Sequence, residues 1–279
     1  METSFSVEAR DFSLSQTLEC GQCFRFEHIE GAYVGVVRDK QLSLRQSGEL
    51  LYISGCSRED YDAWLCSYLG LSSDYSDVKT ILCRDSTLAA AVAYCPGIRI
   101  MHQPFWETLC SFIISQNNNI KRISGIIARL CECFGEDCGG YFAFPTAEVL
   151  ASLSTEDLAP LRCGFRARYI IDGAKKCSDK TVDEDFVKEA PLDEARAMLM
   201  KIVGVGKKVA DCTLLFGANR LEAFPEDVWI KRAMASLFPL GLPEAAKPYA
   251  GIAQQYIFHY VRTSGVLSKE NSIEEGDSK

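Results

Sequence analysis

Two lysines, Lys207 and Lys208, stand directly after a glycine pair, Gly204 and Gly206, in the run KIVGVGKKVADCTLLFGANRLEAFPED that spans residues 201–227. The apolar spacing of Val209, Cys212 and Leu215 predicts a helix over 207–216. Both lysines then fall in its first turn, where the helix dipole disfavours positive charge. The glycines permit φ > 0 and close approach of another backbone, so the hairpin offers unpaired N–H groups that suit an anion such as phosphate. A cation at that end is either a surface phosphate contact or an amine kept partly unprotonated, and the second is a nucleophile. An ordinary lysine, with a pKa of about 10.4, is almost fully charged at neutral pH. Desolvation and a positive neighbour such as Lys207 both act against that charge. Cys212 lies four residues after Lys208, on the same helix face, and could take its proton or a hydrogen bond. Two acids compete to serve the lysine. Asp211 is near in sequence, but its spacing also permits a structural ion pair. Asp227, after Pro225, reads as the N-cap of the next helix set into a pocket.

Other polar residues sit where ordinary packing would not ask for them. Gln116-Asn-Asn-Asn-Ile120 interrupts a stretch that is otherwise helical from Pro104 to Phe134. It reads equally as a helix–helix corner, with Asn119 as cap, or as a polar wedge facing a partner. Leu161-Arg-Cys-Gly-Phe-Arg-Ala-Arg-Tyr169 puts arginines at a helix start, which suits a phosphate or base contact. Gln254 and Phe258 are four apart on one helix face, and glutamine is the odd member of such a core. Cys20-Gly-Gln-Cys23 has redox or zinc spacing, but no second pair completes four ligands.

The elements that must position these groups follow from the rest of the chain. Residues 1–55 alternate in the strand manner: Ala32–Arg38 and Gln41–Arg45 flank a turn at Asp39-Lys40, Leu50–Ser54 is a third strand, and Gly21–Phe26 enters the sheet. From Ser57, which opens a capping box, the pattern is helical, with helices expected at 77–83, 87–93, 105–114, 192–202 and 243–264. The fold class is α+β. An N-terminal part (1–100) holds an antiparallel sheet plus helices, a helical core fills 101–264, and a polar, disordered tail takes 265–279. Net charge is −8 over 279 residues, awkward for a nucleic-acid partner, although local field decides such binding. Basic residues group at Lys121-Arg122, at Arg162, Arg166 and Arg168, and at Lys201, Lys207 and Lys208. No signal peptide and no membrane-length apolar run is visible, so an intracellular address and no membrane partner are expected. Thirteen scattered cysteines fit reduced thiols.

Six blocks in order then carry a resemblance: Gly21-Gln-Cys-Phe-Arg, Ser115-Gln-Asn-Asn-Asn-Ile-Lys-Arg122, Gly164-Phe-Arg-Ala-Arg-Tyr169, Gly204-Val-Gly-Lys-Lys-Val-Ala-Asp-Cys212, Pro225-Glu-Asp227 and Pro248-Tyr-Ala-Gly-Ile-Ala-Gln254. The chain resembles the 8-oxoguanine DNA glycosylase/AP lyase family of the helix-hairpin-helix DNA glycosylase superfamily, from roughly Phe12 to Ser264. The resemblance implies that Lys208 attacks C1′ of the damaged nucleotide and forms a Schiff base, and that Asp227 stabilises the sugar cation and helps orient the lysine. It implies a Gly21 carbonyl that accepts a hydrogen bond from the lesion. Gln254 would read the base edge and Phe258 stack on its face, with Cys212, Phe216 and Pro225 completing the pocket. Asn117, Arg122 and Arg166 would hold the orphaned cytosine, with Phe165 as the wedge. Gly204, Gly206, Lys207 and Val209 would grip the DNA backbone.

The implied partner is double-stranded DNA containing an oxidised guanine, bound by a monomer in the nucleoid or the nucleus. No cofactor is implied, since no cysteine follows Cys212 to build the iron–sulfur cluster of related glycosylases, while a hairpin-bound cation fits the pattern. Departures are Val203 where proline is commoner, Trp229 where relatives carry histidine, Phe165 for tyrosine, and Phe216, which narrows the pocket. The rival readings are a glycosylase for another damaged base and a non-catalytic DNA-binding protein, in which Lys208 and Asp227 would have no task.

Overall fold

The computed structural model describes residues 4–267. The expected disordered tail falls, from residue 268 on, outside the described residues. Five strands, β1 (Ser4–Glu8), β2 (Phe26–Ile29), β3 (Ala32–Val37), β4 (Lys40–Ser47) and β5 (Leu50–Ser54), form one antiparallel sheet in the order β1-β5-β4-β3-β2. Strand alternation turns Val7, Leu42, Leu44, Leu51 and Ile53 to one face. There they pack with Tyr61, Leu65, Tyr68 and Leu69 from α2 (Arg58–Asp60), a π-helical turn (Tyr61–Leu65) and α3 (Cys66–Tyr68). The expected capping box is present: Ser57 and Asp60 exchange side-chain and backbone hydrogen bonds.

The sheet departs from expectation in three places. β1 was not foreseen as a strand; it pairs with β5 along its whole length. The β3–β4 turn is Arg38-Asp39 and not Asp39-Lys40, because Lys40 already pairs with Val37. Of Gly21–Phe26 only Phe26 enters the sheet. The remainder is drawn away by Gln22, a buried side chain whose amide bonds to backbone outside the sheet.

The helices α1 (Leu14–Glu19), α4 (Ser76–Leu82), α5 (Ser86–Tyr94), α6 (Phe105–Ser115), α7 (Ile120–Phe134), α8 (Ala147–Ala151), α9 (Arg166–Ser178), α10 (Glu184–Glu189), α11 (Leu192–Leu199), α12 (Lys207–Gly217), α13 (Val228–Leu237) and α14 (Ala250–Thr263) complete the fold. α6, apolar nearly all round, is the buried axis of the larger core. Two glycines bring the site-bearing helices together. A Cβ on Gly217 would lie 3.1 Å from Thr108 Cβ, so α12 closes on α6 there. A Cβ on Gly251 would lie 2.2 Å from Leu215 Cδ1 and 2.9 Å from the Ala223 carbonyl oxygen, so glycine lets α14 close on α12 without displacing that leucine or the Ala223 backbone. No described helix is long and apolar enough to cross a membrane. All thirteen cysteines are free thiols.

Candidate active site

The hairpin between α11 and α12 is tied down from α9. Asp172 Oδ2 accepts the Val203 N–H at 2.7 Å, and Lys176 Nζ donates to the Lys201 carbonyl at 2.7 Å. Proline at 203 would have no N–H for Asp172. Gly204 has φ +80°, and a Cβ there would meet the Tyr169 ring at 2.4 Å, so both conformation and space demand glycine. Gly206 does not use the freedom to take φ > 0: its φ of −103° and ψ of −178° are extended backbone open to any residue. A Cβ there would touch nothing within 4 Å, so what glycine supplies is open space in front of the helix.

Gly206 is the N-cap of α12 and provides no side-chain cap. Its carbonyl accepts the Ala210 N–H at 3.0 Å, while the N–H groups of Lys207, Lys208 and Val209 find no acceptor among the described residues. Three unpartnered donors at a helix start favour an anion. The Val209 side chain is buried in the core, so of this residue only the backbone N–H faces the open end of the helix. Lys207 points outward, with Glu226 at 3.5 Å.

Lys208, one residue on, turns inward. Its Nζ lies 3.4 Å from Ser115 Oγ and 4.9 Å from the centre of the Phe112 ring. Ser115 donates its own proton to the Phe112 carbonyl at 2.8 Å, which leaves lone pairs for the amine. Cys212 also meets the lysine. Burial pushes its thiol up to about 11, with Lys208 pulling it partway back. At neutral pH Cys212 is therefore an uncharged thiol. Of the two roles the sequence left open for it, the hydrogen bond with Lys208 is the one that an uncharged thiol supports.

The two acids separate cleanly. Asp211 is fully buried and paired with Arg196 Nε at 2.7 Å, and burial still raises its carboxyl while Arg196 opposes the rise. It joins α11 to α12. Asp227 is the N-cap of α13, as expected, with Oδ1 accepting the Ile230 N–H at 2.8 Å. It makes no ion pair with Lys208 among the described residues. The contacts of the amine are with Ser115, Cys212 and Phe112, while Asp227 lines the same cavity.

Lys208, Asp227, Gly21, Cys212, Phe216, Pro225, Gln254 and Phe258 all line one cavity of about 50 Å³, together with Cys20, Phe112 and Gln255. That volume holds water but no purine, and the half-buried Phe258 closes against Gly21, its Cε1 lying 3.7 Å from where a Cβ on that glycine would stand. Phe216 narrows the floor by stacking on Phe112, ring centres 5.5 Å apart. Gly21 has φ +82°, and no described N–H or O–H donates to its carbonyl. The neighbouring Gln22 holds this loop rigid. Its Nε2 donates to the Thr17 carbonyl at 2.9 Å and to the Arg99 carbonyl at 2.8 Å, and its Oε1 accepts from Met101 N at 2.9 Å. The Cys20 thiol is buried and that of Cys23 half-buried. Burial pushes the Cys20 thiol up to about 12 and raises that of Cys23 as well, and no group of three metal-capable side chains occurs among the described residues.

The cavity opens, through Gly21, Phe112, Lys208, Asp227 and Phe258, into a groove of about 670 Å³. Gln116 to Asn119 form one wall, with Asn117 exposed and in the left-handed region at φ +46°. Asn119 caps α7, so the helix-corner reading of this block holds. Arg166 is 2% exposed, and its guanidinium donates to the carbonyls of Gln116, Asn117 and Cys163. Burial, aided by nearby Arg122, lowers its affinity for its proton. Phe165 is 48% exposed beneath that guanidinium, and Arg122 lies on the same exposed rim.

Residues 4–109 match the family described as 8-oxoguanine DNA glycosylase, N-terminal domain, and residues 110–248 match the HhH-GPD superfamily base excision DNA repair protein. An N-glycosylase/DNA lyase of Saccharomyces cerevisiae is 34% identical over 257 residues, 81% of this chain and 68% of the relative. The chain belongs to the 8-oxoguanine DNA glycosylase family. Among solved structures, MBOgg1 in complex with a low-affinity DNA ligand superposes with a TM-score of 0.87 at 38% identity, covering 94% of this chain and 96% of that one. The 8-oxoguanine glycosylase/lyase of Clostridium acetobutylicum, bound to duplex DNA with cytosine opposite 8-oxoguanine, does so at 0.85 and 33% identity, covering 95% and 99%.

For a member of this family, four side chains at the site escaped the reading of the sequence. Ser115 and Phe112 look like ordinary members of a buried helix until Lys208 is placed beside them. Gln22 and Gln255 are glutamines in otherwise apolar surroundings. Burial of an amide with no apolar reason to be there was the signal that could have found both.

Proposed function

We propose that this chain is a bifunctional DNA glycosylase and AP lyase that removes 8-oxoguanine paired with cytosine from duplex DNA. The observation that carries the reading is the placement of Lys208, Asp227 and an unpartnered Gly21 carbonyl around one cavity, beside a helix start with three free N–H groups. Phosphates of the damaged strand would bind that helix start, with the space before Gly206 admitting the backbone. The lesion would leave the stack and enter the cavity, at a flipping cost of about a few kcal/mol.

Discrimination follows from one atom. Oxidation at C8 converts N7 of guanine from an acceptor into an N–H donor, which suits the fixed Gly21 carbonyl, whereas undamaged guanine presents a second acceptor there. The lone pair of the Lys208 amine attacks C1′ as the C1′–N9 bond breaks. The bonding pair leaves with the base, and the Asp227 carboxylate stabilises positive charge developing on the sugar. The amine then gives up its two protons, one to the departed base anion and one to O4′, as the C1′–O4′ bond breaks and the sugar ring opens to an imine. Loss of a C2′ proton from the imine expels the 3′ phosphate, which cuts the strand. The route needs no metal or redox cofactor. On the other strand, Phe165 would wedge the vacancy, with Asn117 and Arg122 meeting cytosine. Arg166 would exchange its carbonyl partners for the cytosine acceptors. A monomer suffices, and its address is that of the genome, nucleoid or nucleus.

Single-turnover incubation with a duplex carrying 8-oxoguanine opposite cytosine tests the reading. Release of the free oxidised base together with a cut strand is expected. An intact duplex, or equal release of undamaged guanine, would overturn it.

A further inference from the structure

Gln254 and Gln255 are adjacent on α14, 4% and 3% exposed, and both line the base cavity. Gln255 Nε2 donates to Gln254 Oε1 at 2.8 Å, while Gln255 Oε1 is buried and has no partner. The hydrogen bond uses one of the two lone pairs on Gln254 Oε1. It leaves the other lone pair, and the Nε2 hydrogens, for a bound base.

We infer that Gln255 is a specificity-determining residue that locks the Gln254 amide in the one orientation that reads the Watson–Crick edge of guanine. The inference rests on the proposed function, with Gln254 facing that edge. Guanine offers N1–H beside the O6 acceptor, so it pairs with an amide that presents its oxygen to N1 and its nitrogen to O6. Adenine offers the reverse order, an N1 acceptor beside an N6 donor, and needs the amide turned over. Turning Gln254 alone would set its Nε2 against Gln255 Nε2, donor against donor. Turning both glutamines would restore their mutual bond but bury an unpartnered amide nitrogen instead of an unpartnered carbonyl. Orphaned buried N–H groups are rarer in proteins than under-satisfied carbonyls. The lock is therefore asymmetric and favours guanine. The neighbouring Gly21 carbonyl cannot supply this distinction, because 8-oxoguanine and 8-oxoadenine carry the same N7–H.

The test compares single-turnover base release from two duplexes, 8-oxoguanine opposite cytosine and 8-oxoadenine opposite cytosine, for the wild type, Gln255→Leu and Gln255→Met. Both variants remove the amide, and methionine preserves the unbranched shape. Trapping on a duplex with a ready-made abasic site, which requires no base recognition, reports that each variant is folded and its lysine competent. The expected result is unchanged abasic-site trapping with the 8-oxoguanine to 8-oxoadenine rate ratio falling about tenfold, within the discrimination of one bidentate amide–base contact. A ratio within twofold of wild type in a trapping-competent variant would overturn the inference. Loss of trapping in both variants would also overturn it, since Gln255 would then be serving the fold. Failure of the wild type to release 8-oxoguanine would instead sink the proposed function itself.

Discussion

The Ser115 hydroxyl lies 3.4 Å from Lys208 Nζ and holds its own hydrogen bond with the Phe112 carbonyl. A serine so fixed can only accept from the amine, and it restricts Nζ to a position over the Phe112 ring beside the cavity mouth. Ser115→Ala should slow single-turnover base removal by about tenfold, in the range of losing one positioning contact. Duplex affinity should hardly change. A matching loss of affinity would mean that Ser115 shapes the groove and not the nucleophile.

Two glycines two residues apart should respond in opposite ways. Gly204→Ala must place a Cβ against Tyr169 in the left-handed region, and a loss of about 1–3 kcal/mol in unfolding free energy is expected. Gly206→Ala meets nothing and has an ordinary backbone, so its thermal midpoint should match wild type. Its affinity for duplex DNA should nevertheless fall, by about tenfold, if a phosphate comes to the α12 N-terminus. Unfolding curves and salt-controlled binding measurements on both variants separate the two effects.

Gln22 supports the recognition carbonyl from behind. Removing its amide in Gln22→Leu takes the side-chain partner from the Arg99 carbonyl and the Met101 N–H and leaves the Thr17 carbonyl with the Cys20 thiol, a loss of about 1–3 kcal/mol in stability. With Gly21 no longer held, the preference for 8-oxoguanine over guanine should narrow while abasic-site cleavage persists. Competition between the two duplexes for the variant measures this directly.

The buried thiols make the fold sensitive to alkali. Cys212 is raised from 9.0 to about 11, and Cys20, Cys95, Cys131 and Cys177 to about 12, in each case chiefly by burial. Above the unfolded value the unfolded chain loses thiol protons that the folded chain keeps. Stability is therefore constant with respect to these groups below pH 9 and falls as pH rises through the 9–12 window. The slope approaches about 1.4 kcal/mol per pH unit for each such thiol. Urea midpoints at pH 8 and pH 10 should show the decline, and Cys95→Ala should make it shallower than in the parent.

How much of this was legible depended on whether an effect was local. The hairpin, the Asp227 cap and the pairing of β3 with β4 follow from turn residues and short periodicities, and the sequence states them. β1 escaped because five residues near the start of the chain become a strand only through a partner at Leu50–Ser54. The sequence offered both uses of glycine, φ > 0 and close approach, for Gly204 and Gly206 alike, and only the fold divides them, the first use falling to Gly204 and open space to Gly206. Arg166 shows the same limit: its type suggests an exposed contact, yet the fold brings it under the Asn117 corner and buries it. The partners of Lys208 come from α6, some ninety residues away, and periodicity carries no information about which buried serine will face it.

Borohydride trapping tests the central claim most directly. Wild-type protein and Lys208→Gln are each incubated with a duplex carrying 8-oxoguanine opposite cytosine in the presence of borohydride, and the covalent product is digested and sequenced. The account predicts a wild-type adduct joined through Lys208, and none from Lys208→Gln. An adduct on another residue, or an undiminished adduct in Lys208→Gln, would contradict it.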